Sequence, residues 1–512
     1  MNNPSISASR FICCRRVPLI LLLSALFATL LPSWNLGFVS DDYGHLVEAA
    51  KFSPISSTDG LHRPLRNIAF KIAHATFGLN PAPYHLVLIS LHLVLVGLLY
   101  RFVLLLGGGR YAAFIAAAIF GFFPRNHQSL FWVAAGQDTV VAICSLVACS
   151  AFLLHKGTGR SVSYFIALAS FSIALGFKET ATAILPLLLL VDLSHRIKNS
   201  NASPKHRWRA YVPFVIIAGA YLVWVFGERL FGPAEITQSF YRFQNASQSV
   251  KLAAKFILNM LLPLSSPVEV KEVVSGVLPF MTVSLGVLTI AIASFWLVRM
   301  DKLALTTGWI LISMAPTAVF GFYTDRYLLM PFLGMAMLLG FIAEAIVGRA
   351  RTNKLPIGLI ITAALFLYVF ASIARLSHYR RSWREAAVEI QTTMSETRRL
   401  YPGVPDASIF YFVNLTHSKE SGQVYIFNTS VNGALWTWGY DRSVTAQRTF
   451  SSDNPHEQEL VGLLLACKGD GGSDAVPANY ILIFENGLID VSGDCADRVI
   501  AMNQKKNPDL WK

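Results

Sequence analysis

Residues 84–106, YHLVLISLHLVLVGLLYRFVLLL, form a long run of mostly apolar side chains. At a rise of about 1.5 Å per residue, an α-helix needs about 20 apolar residues to cross the hydrocarbon core of a bilayer. The composition fits such crossings, because 54% of the 512 residues are hydrophobic and only 14% are charged. Soluble domains carry about a quarter charged residues. The sequence therefore predicts an integral membrane protein.

Further apolar runs predict an α-helical polytopic protein with about eleven transmembrane helices in total. They lie near residues 17–36, 111–124, 137–154, 161–177, 179–194, 210–227, 277–298, 303–320, 326–347 and 355–374. A shorter run at 252–264 ends at Pro263, and we expect it to lie in the outer membrane interface. If it crossed the bilayer, the basic loops that follow it would face outward.

Lys and Arg in the short loops predict orientation, since cytoplasmic loops carry an excess of both. The pattern places the N-terminus in the cytoplasm. It places the loop at 34–83, the loop near 124–136 and everything after about 375 outside. These basic loops account for the net charge of +13, so the charge does not indicate nucleic-acid binding. Anionic lipid is the expected partner of such loops.

Two domains are predicted, a transmembrane domain at 1–374 and a small extracytoplasmic α/β domain at 375–512. In the second, RSWREAAVEIQTTMSETRRLYP predicts an amphipathic helix and ASIFYFVN is typical of a strand. ILIFENGLIDVS predicts a hairpin with Asn486–Gly487 as a two-residue turn. Cys467 and Cys495 lie here, and the sequence leaves open whether they form a disulfide.

Two adjacent carboxylates, Asp41 and Asp42, follow the first apolar run in LPSWNLGFVSDDYGHLVEAAKFSP, residues 31–54. A carboxylate just past the end of a membrane helix stays wetted, yet bundle and loop can cover it. Such a base can take a proton from an acceptor hydroxyl or amine. The alternative is that the pair caps the following helix, YGHLVEAAKF.

Three cations lie where the orientation rule expects few, in outward loops or turns: Arg63, Lys178 and Arg326. A lipid-linked phosphate at the outer face would explain all three, because guanidinium and ammonium groups bind phosphate oxygens. The alternatives are lipid-headgroup contacts and structural ion pairs. Further candidates for substrate binding are His62, Arg66, His127, Asp138, Glu179 and Tyr327.

Lys178 and Glu179 interrupt an apolar stretch from about 161 to 194. Each half is about 16 residues, or about 24 Å of helix, which is less than the roughly 30 Å of a bilayer core. The sequence therefore predicts a recessed turn with its charges facing the bundle interior. Because the two residues are adjacent, we expect each to pair with a different helix rather than with the other.

HRPLRNIAF (62–70), GFKETATAILPLLLLVDL (176–193) and YTDRYLLMPFLG (323–334) resemble the membrane part of GT-C glycosyltransferases. The resemblance is to bacterial relatives of tetratricopeptide-linked O-mannosyltransferases and covers about residues 15–374. It implies transfer, with inversion, of a sugar from a polyprenyl-phosphate donor to a protein, lipid or glycan acceptor at the outer leaflet. The implied base is Asp41 or Asp42, and Arg63, Lys178 and Arg326 are the implied phosphate ligands.

The chain departs from that family in the second outer loop, where Asn126 and Gln128 stand in place of an expected His-x-Glu element. The missing Glu motivates one alternative, a catalytically degenerate protein that binds lipid-linked glycan. A transporter of lipid-linked sugars is another, although the sequence shows no repeated halves. The use of a divalent metal stays open. The resemblance implies a bacterial inner membrane, with the C-terminal domain in the periplasm.

Overall fold

The computed structural model describes residues 5–51, 63–198, 208–231, 244–265, 267, 277–321, 323–350, 357–413, 415, 418–419, 423–427, 431–449, 479–484 and 488–490. Chain contacts divide the protein into two compact units. The first consists of Met1–Asn35, Pro54–Ala69 and Ala82–His378, and the second of Leu36–Ser53, Phe70–Pro81 and Tyr379–Lys512.

Helices dominate the part of the chain that the structure describes. In chain order they are α1 (Ser5–Leu30), α2 (Asp41–Lys51), α3 (Pro64–Phe77), α4 (Pro81–Leu105), α5 (Arg110–Gly121), α6 (His127–Phe131), α7 (Gly136–Thr158), α8 (Ser161–Phe177), α9 (Ile184–Lys198), α10 (Val212–Phe231), α11 (Ala246–Leu261), α12 (Val277–Leu297), α13 (Met300–Phe320), α14 (Leu329–Ala350), α15 (Ile357–Leu400) and α16 (Val431–Thr437). The strands are β1 (Ile409–Val413), β2 (Ser418–Lys419), β3 (Val424–Tyr425), β4 (Thr445–Thr449), β5 (Asn479–Phe484) and β6 (Leu488–Asp490).

Each apolar run predicted to cross the membrane overlaps a helix over most of its described residues. Six helical segments among the described residues are long and apolar enough to span a bilayer by length and composition: Pro81–Leu105, Val133–Thr158, Glu179–Ile197, Met300–Phe320, Asp325–Arg349 and Ile357–Leu400. Shorter apolar helices cover Val17–Ser33, Arg110–Gly121, Ser161–Phe177, Val212–Val225 and Leu285–Leu297. The predicted helical, multi-pass membrane protein is confirmed, while the number of eleven crossings stays a prediction.

The short run at 252–264 forms most of α11, whose start has a reciprocal cap. The Asn245 side chain accepts a hydrogen bond from the Gln248 backbone N–H at 2.8 Å, and the Gln248 side chain accepts one from the Asn245 backbone N–H at 3.3 Å. Such a cap satisfies two backbone donors that the helix itself leaves open. The helix is confirmed, and its place in the membrane interface stays a prediction.

Small residues allow α5 and α14 to approach closely within the first unit. Gly340 of α14 lies against α5, and a Cβ added to it would sit 2.5 Å from the carbonyl oxygen of Ala112 and 3.1 Å from the Cβ of Ala116. In lipid, helix association depends on such packing because lipid tails are as apolar as the side chains.

We predict that Gly340→Ala lowers the free energy of unfolding by about 1–3 kcal/mol, because backbone atoms of α5 must move to admit the methyl group. The matched control is Gly348→Ala on the same helix, where an added Cβ meets nothing within 4 Å. Thermal unfolding of the detergent-purified protein, followed by tryptophan fluorescence, should separate the two variants. Equal melting temperatures would contradict the close packing.

The second unit contains a sheet with strand order β4-β1-β5-β6. β1 pairs in parallel with β4 and β5, and β6 pairs antiparallel with β5. The predicted strand and hairpin are therefore confirmed. Phe484 lies opposite Leu488, so three residues connect the paired positions rather than the predicted two. Asn486, Gly487, Cys467 and Cys495 lie outside the described residues.

The predicted amphipathic helix is the C-terminal part of α15, which runs without a break through residues 374 and 375. Its predicted apolar stripe is buried: Trp383, Ala387, Ile390 and Met394.

The segment Leu36–Ser53 packs within the same unit, although it lies far away in sequence. Ser40 N–H donates to the Ile426 carbonyl at 3.1 Å. A Cβ on Gly433 would lie 2.9 Å from the backbone of Tyr43 and Gly44.

Candidate functional site

The turn at Lys178 and Glu179 divides two short helices, as the sequence predicts. α8 ends at Phe177, Lys178 is extended with φ −162° and ψ 143°, and a short 3₁₀ helix, Glu179–Ala183, leads into α9. In an extended backbone, successive side chains point to opposite sides. The two charges therefore reach different neighbours, which confirms the prediction that they do not pair with each other.

Lys178 forms a buried ion pair with α7. Its Nζ lies 2.6 Å from Oδ1 of Asp138, in the first turn of that helix. Lys178 is 1% exposed, and its Nζ also lies 4.6 Å from the ring centroid of Tyr327. Each charge offsets the cost of burying the other away from water.

Glu179 pairs with Arg63 through two parallel hydrogen bonds. Arg63 Nε donates to Glu179 Oε2 and Nη2 donates to Oε1, each at 3.0 Å. Arg63 immediately precedes Pro64, a residue suited to the first position of α3. Arg66 is buried one turn later, and its Nε donates to Asn67 Oδ1 at 3.0 Å. The bidentate geometry fixes the Arg63 guanidinium in one plane.

Asp325 is the centre of a second buried network, ahead of α14. Arg125 Nη1 donates to both its carboxylate oxygens at 3.2 and 3.3 Å, and the Tyr323 hydroxyl donates at 3.0 Å. His127 Nε2 lies 3.2 Å from Asp325 Oδ2. Burial lowers the pKa of His127, and the hydrogen bond to Asp325 opposes that change. Since a carboxylate only accepts, His127 donates from Nε2.

Arg326 lies beside this network and faces aromatic rings. Its guanidinium carbon is 4.7 Å from the Trp132 ring centroid and 5.2 Å from that of Tyr327. Its backbone N–H donates to Oε1 of Gln128 at 2.8 Å. The residue that replaces the expected Glu therefore still supplies an acceptor at this position, without the charge.

Two of the three predicted phosphate ligands, Lys178 and Arg326, face one aromatic ring, and the third, Arg63, pairs with the residue next to Lys178. Arg63 binds Glu179, Glu179 adjoins Lys178, and the Lys178 ammonium and the Arg326 guanidinium share the Tyr327 ring. Together with Asp138 these side chains bring three cations and two carboxylates together, so the group carries one net positive charge. We call Arg63, Asp138, Lys178, Glu179 and Arg326 the cation cluster.

A small polar pocket adjoins the cation cluster within the first unit. Its lining consists of Asp138, Thr180, Ala183, Ser313, Thr317, Arg326, Tyr327, Leu329 and Met330. The sequence did not single out Ser313, Trp132 or the Arg125–Asp325 pair as site residues. Ser313 has no local signal, because it is an ordinary polar residue within an apolar helix. The Arg125–Asp325 pair joins residues 200 positions apart.

Asp41 and Asp42 belong to the second unit and differ in environment. Asp42 is fully buried, and its Oδ2 accepts a hydrogen bond from the Val39 backbone N–H at 3.0 Å. Asp41 is half-buried, and its Oδ1 accepts a hydrogen bond from the Ser40 hydroxyl at 3.3 Å. Burial and then the charge of Asp42 raise the pKa of Tyr43. Asp42 therefore supports the backbone just ahead of α2, while the expectation that one of the two residues caps this helix stays a prediction.

Among the described residues, no group of three or more His, Cys, Asp or Glu side chains is placed to hold a metal ion. His62 lies outside the described residues.

We predict that Asp138→Leu destabilises the protein by about 3–5 kcal/mol, because it leaves the Lys178 ammonium buried without its carboxylate. The double variant Asp138→Leu/Lys178→Met should recover most of this loss, since two apolar side chains then replace the pair. The exposed Asp406 provides the control Asp406→Leu. Thermal unfolding in detergent checks all three, and a double variant no more stable than the single one would contradict a buried pair.

No protein-family model matches the chain. Protein O-mannosyl-transferase TMTC2 of Mus musculus is 26% identical over 241 residues, which is 45% of this chain and 28% of that protein. Protein O-mannosyl-transferase Tmtc1 of Drosophila melanogaster is 26% identical over 147 residues, 29% of this chain and 17% of that protein. The chain thus aligns with less than a third of either relative.

Two solved structures share the architecture. ArnT from Cupriavidus metallidurans in the apo state aligns with a TM-score of 0.50 at 12% identity, over 94% of each chain. The oligosaccharyltransferase of Archaeoglobus fulgidus, in complex with Zn and sulfate, aligns with a TM-score of 0.50 at 11% identity, over 91% of this chain and 67% of that one. The chain is therefore a multi-pass membrane protein with a GT-C-like fold, distantly related in sequence to TMTC O-mannosyltransferases.

Proposed function

We propose that this protein is an inverting glycosyltransferase that transfers a sugar from a polyprenyl-phosphate donor to a protein, lipid or glycan acceptor at the outer face of the membrane. The observation that carries the proposal is the cation cluster, in which Lys178 and Arg326 face one aromatic ring and Glu179, next to Lys178, holds Arg63. A membrane bundle admits such charges only at a cost, so they indicate a function.

The cluster suits a phosphate carried by a lipid. Its net positive charge complements an anion, and the Arg326 guanidinium supplies planar donors for phosphate oxygens. As the bond to the sugar breaks, negative charge grows on the departing phosphate, and fixed cations stabilise that charge most. A lipid delivers the donor by lateral diffusion, so no nucleotide-binding motif is required.

Asp41 is the proposed base. It deprotonates the acceptor hydroxyl or amine, whose oxygen or nitrogen forms the new bond to the anomeric carbon. The bond from that carbon to the phosphate oxygen breaks, polyprenyl phosphate leaves, and the proton stays on the carboxylate. Attack opposite the leaving group inverts the configuration. Asp42 is the poorer candidate, because its buried carboxylate already binds the Val39 backbone.

We predict that Asp41→Asn lowers the transfer rate by about 10²–10⁴-fold, the usual contribution of a general base. Asp42→Asn should retain most activity, because an amide oxygen can still accept from the Val39 N–H. The assay follows labelled sugar from a polyprenyl-phosphate donor into acceptors in native membranes, with Asp406→Asn as the exposed-carboxylate control. Equal product from all variants would remove Asp41 from the mechanism.

We predict that Arg326→Gln weakens the binding of sugar-free polyprenyl phosphate by about tenfold or more, since a charged hydrogen bond contributes about 1.5–3 kcal/mol. Arg349→Gln, at the other end of α14 where Arg349 donates to the Trp296 carbonyl, is the matched control. Titration of the purified full chain, read from tryptophan fluorescence, gives both affinities. Unchanged affinity in Arg326→Gln would remove the phosphate role.

The two assays also separate an enzyme from a degenerate glycan-binding protein. A degenerate relative binds polyprenyl phosphate and loses affinity in Arg326→Gln, but the native chain transfers no sugar. A transporter moves donor across sealed vesicles without forming a glycosylated product. Transfer that depends on both Asp41 and Arg326 is the outcome expected of the proposed enzyme.

A further inference from the structure

Two buried polar atoms face the small pocket beside the cation cluster. Asp138 and Ser313 are 7% and 8% exposed, and both line the pocket. Oδ2 of Asp138 and Oγ of Ser313 form no hydrogen bond with the described residues. A buried polar atom left unmatched is unfavourable, so a ligand that forms hydrogen bonds with both atoms gains affinity from doing so.

Two of the neighbouring polar atoms already have partners. Oδ1 of Asp138 binds the Lys178 ammonium, and the Thr317 hydroxyl donates to the Met314 carbonyl. Oδ2 of Asp138 is a carboxylate oxygen, which only accepts, and Oγ of Ser313 belongs to a hydroxyl, which both donates and accepts. The complementary ligand must therefore donate to Asp138.

The phosphate of the donor does not meet this requirement. In a polyprenyl-phosphate sugar the phosphate is a diester, which carries a negative charge and no proton to donate. Asp138 Oδ2 would face it as a like charge. A sugar hydroxyl fits, because it donates one hydrogen bond to the carboxylate and accepts one from the serine. The pocket admits a group about the size of a water molecule, so it suits one hydroxyl rather than a whole ring.

We propose that this pocket recognises a single hydroxyl of the donor sugar, with Asp138 and Ser313 as the residues that determine specificity. This inference rests on the proposed function, since it assumes that the phosphate binds at Arg326, which lines the same pocket. Asp138 then has two roles from its two oxygens. One fixes Lys178, and the other selects a sugar with a hydroxyl at the matching position.

The test compares lipid donors that differ by one hydroxyl. Purified full-chain protein is titrated with polyprenyl phosphate, with polyprenyl-phosphate mannose and with its 2-, 3-, 4- and 6-deoxy analogues. Mannose is chosen because it is the sugar in the names of the sequence relatives. We expect one deoxy analogue to bind the native chain about 10- to 100-fold more weakly than the mannose donor, because loss of the hydroxyl leaves buried polar atoms of the pocket unmatched.

Ser313→Ala supplies the second arm. It should weaken binding of the mannose donor and reduce the penalty for that one analogue, while the affinity for sugar-free polyprenyl phosphate stays unchanged. Thr306→Ala is the matched control on α13, because its buried hydroxyl bonds the Lys302 carbonyl of its own helix. It should leave the whole deoxy pattern as in the native chain. Melting temperatures report whether each variant is folded.

The outcomes distinguish failure of the hydroxyl subsite from failure of the proposed glycosyltransferase function. If polyprenyl phosphate itself does not bind, the proposed function fails. If it binds, but the mannose donor binds no more tightly than the bare phosphate, the hydroxyl subsite is wrong. The subsite is also wrong if all deoxy analogues bind alike in the native chain and in Ser313→Ala. In those cases Asp138 and Ser313 serve a structural water.

Discussion

Charged side chains that are buried in an apolar helix bundle need a partner of opposite charge. In the first unit, the turn at Lys178 and Glu179 shows how this requirement is satisfied. Removing an ion from water costs several kcal/mol, and only close pairing offsets the cost. Because the backbone is extended at Lys178, the two neighbouring side chains point apart. One turn therefore binds α7 through Asp138 and the start of α3 through Arg63.

The segment from Phe122 to Val133, which contains only short helices such as α6, obeys the same constraint. It is buried throughout, so its polar groups need partners inside the protein. Arg125 binds the carbonyls of Leu262 and Ser265 as well as Asp325. This buried segment fixes the chain at Asp325, and Arg326 is thereby held against its aromatic neighbours.

The sequence predicts features that depend on local properties. Apolar run length indicates the membrane helices, and the break at Lys178 and Glu179 follows from charges within an apolar stretch. The sequence also predicts that Lys178 and Glu179 pair with other residues rather than with each other. It does not predict that the partners are Asp138 and Arg63, because only tertiary packing brings these residues together. The same limit hides Ser313, which has no signal in the sequence until packing brings three other segments beside it. The sequence does not distinguish Asp41 from Asp42. Only the direction of each side chain in the structure shows that Asp42 is buried and accepts a backbone hydrogen bond, whereas Asp41 is half-buried.

The Gln at position 128 changes the chemistry of this site more than its shape. Its amide oxygen accepts the Arg326 backbone N–H at 2.8 Å, a bond that a carboxylate oxygen would also accept. The local fold therefore does not require the Glu that the family resemblance leads one to expect. What the amide removes is one negative charge beside the cation cluster. With Glu at this position the charges of the six groups would cancel, whereas with Gln one positive charge remains. An anion close to this group would meet a net positive charge, whereas beside a Glu it would meet none.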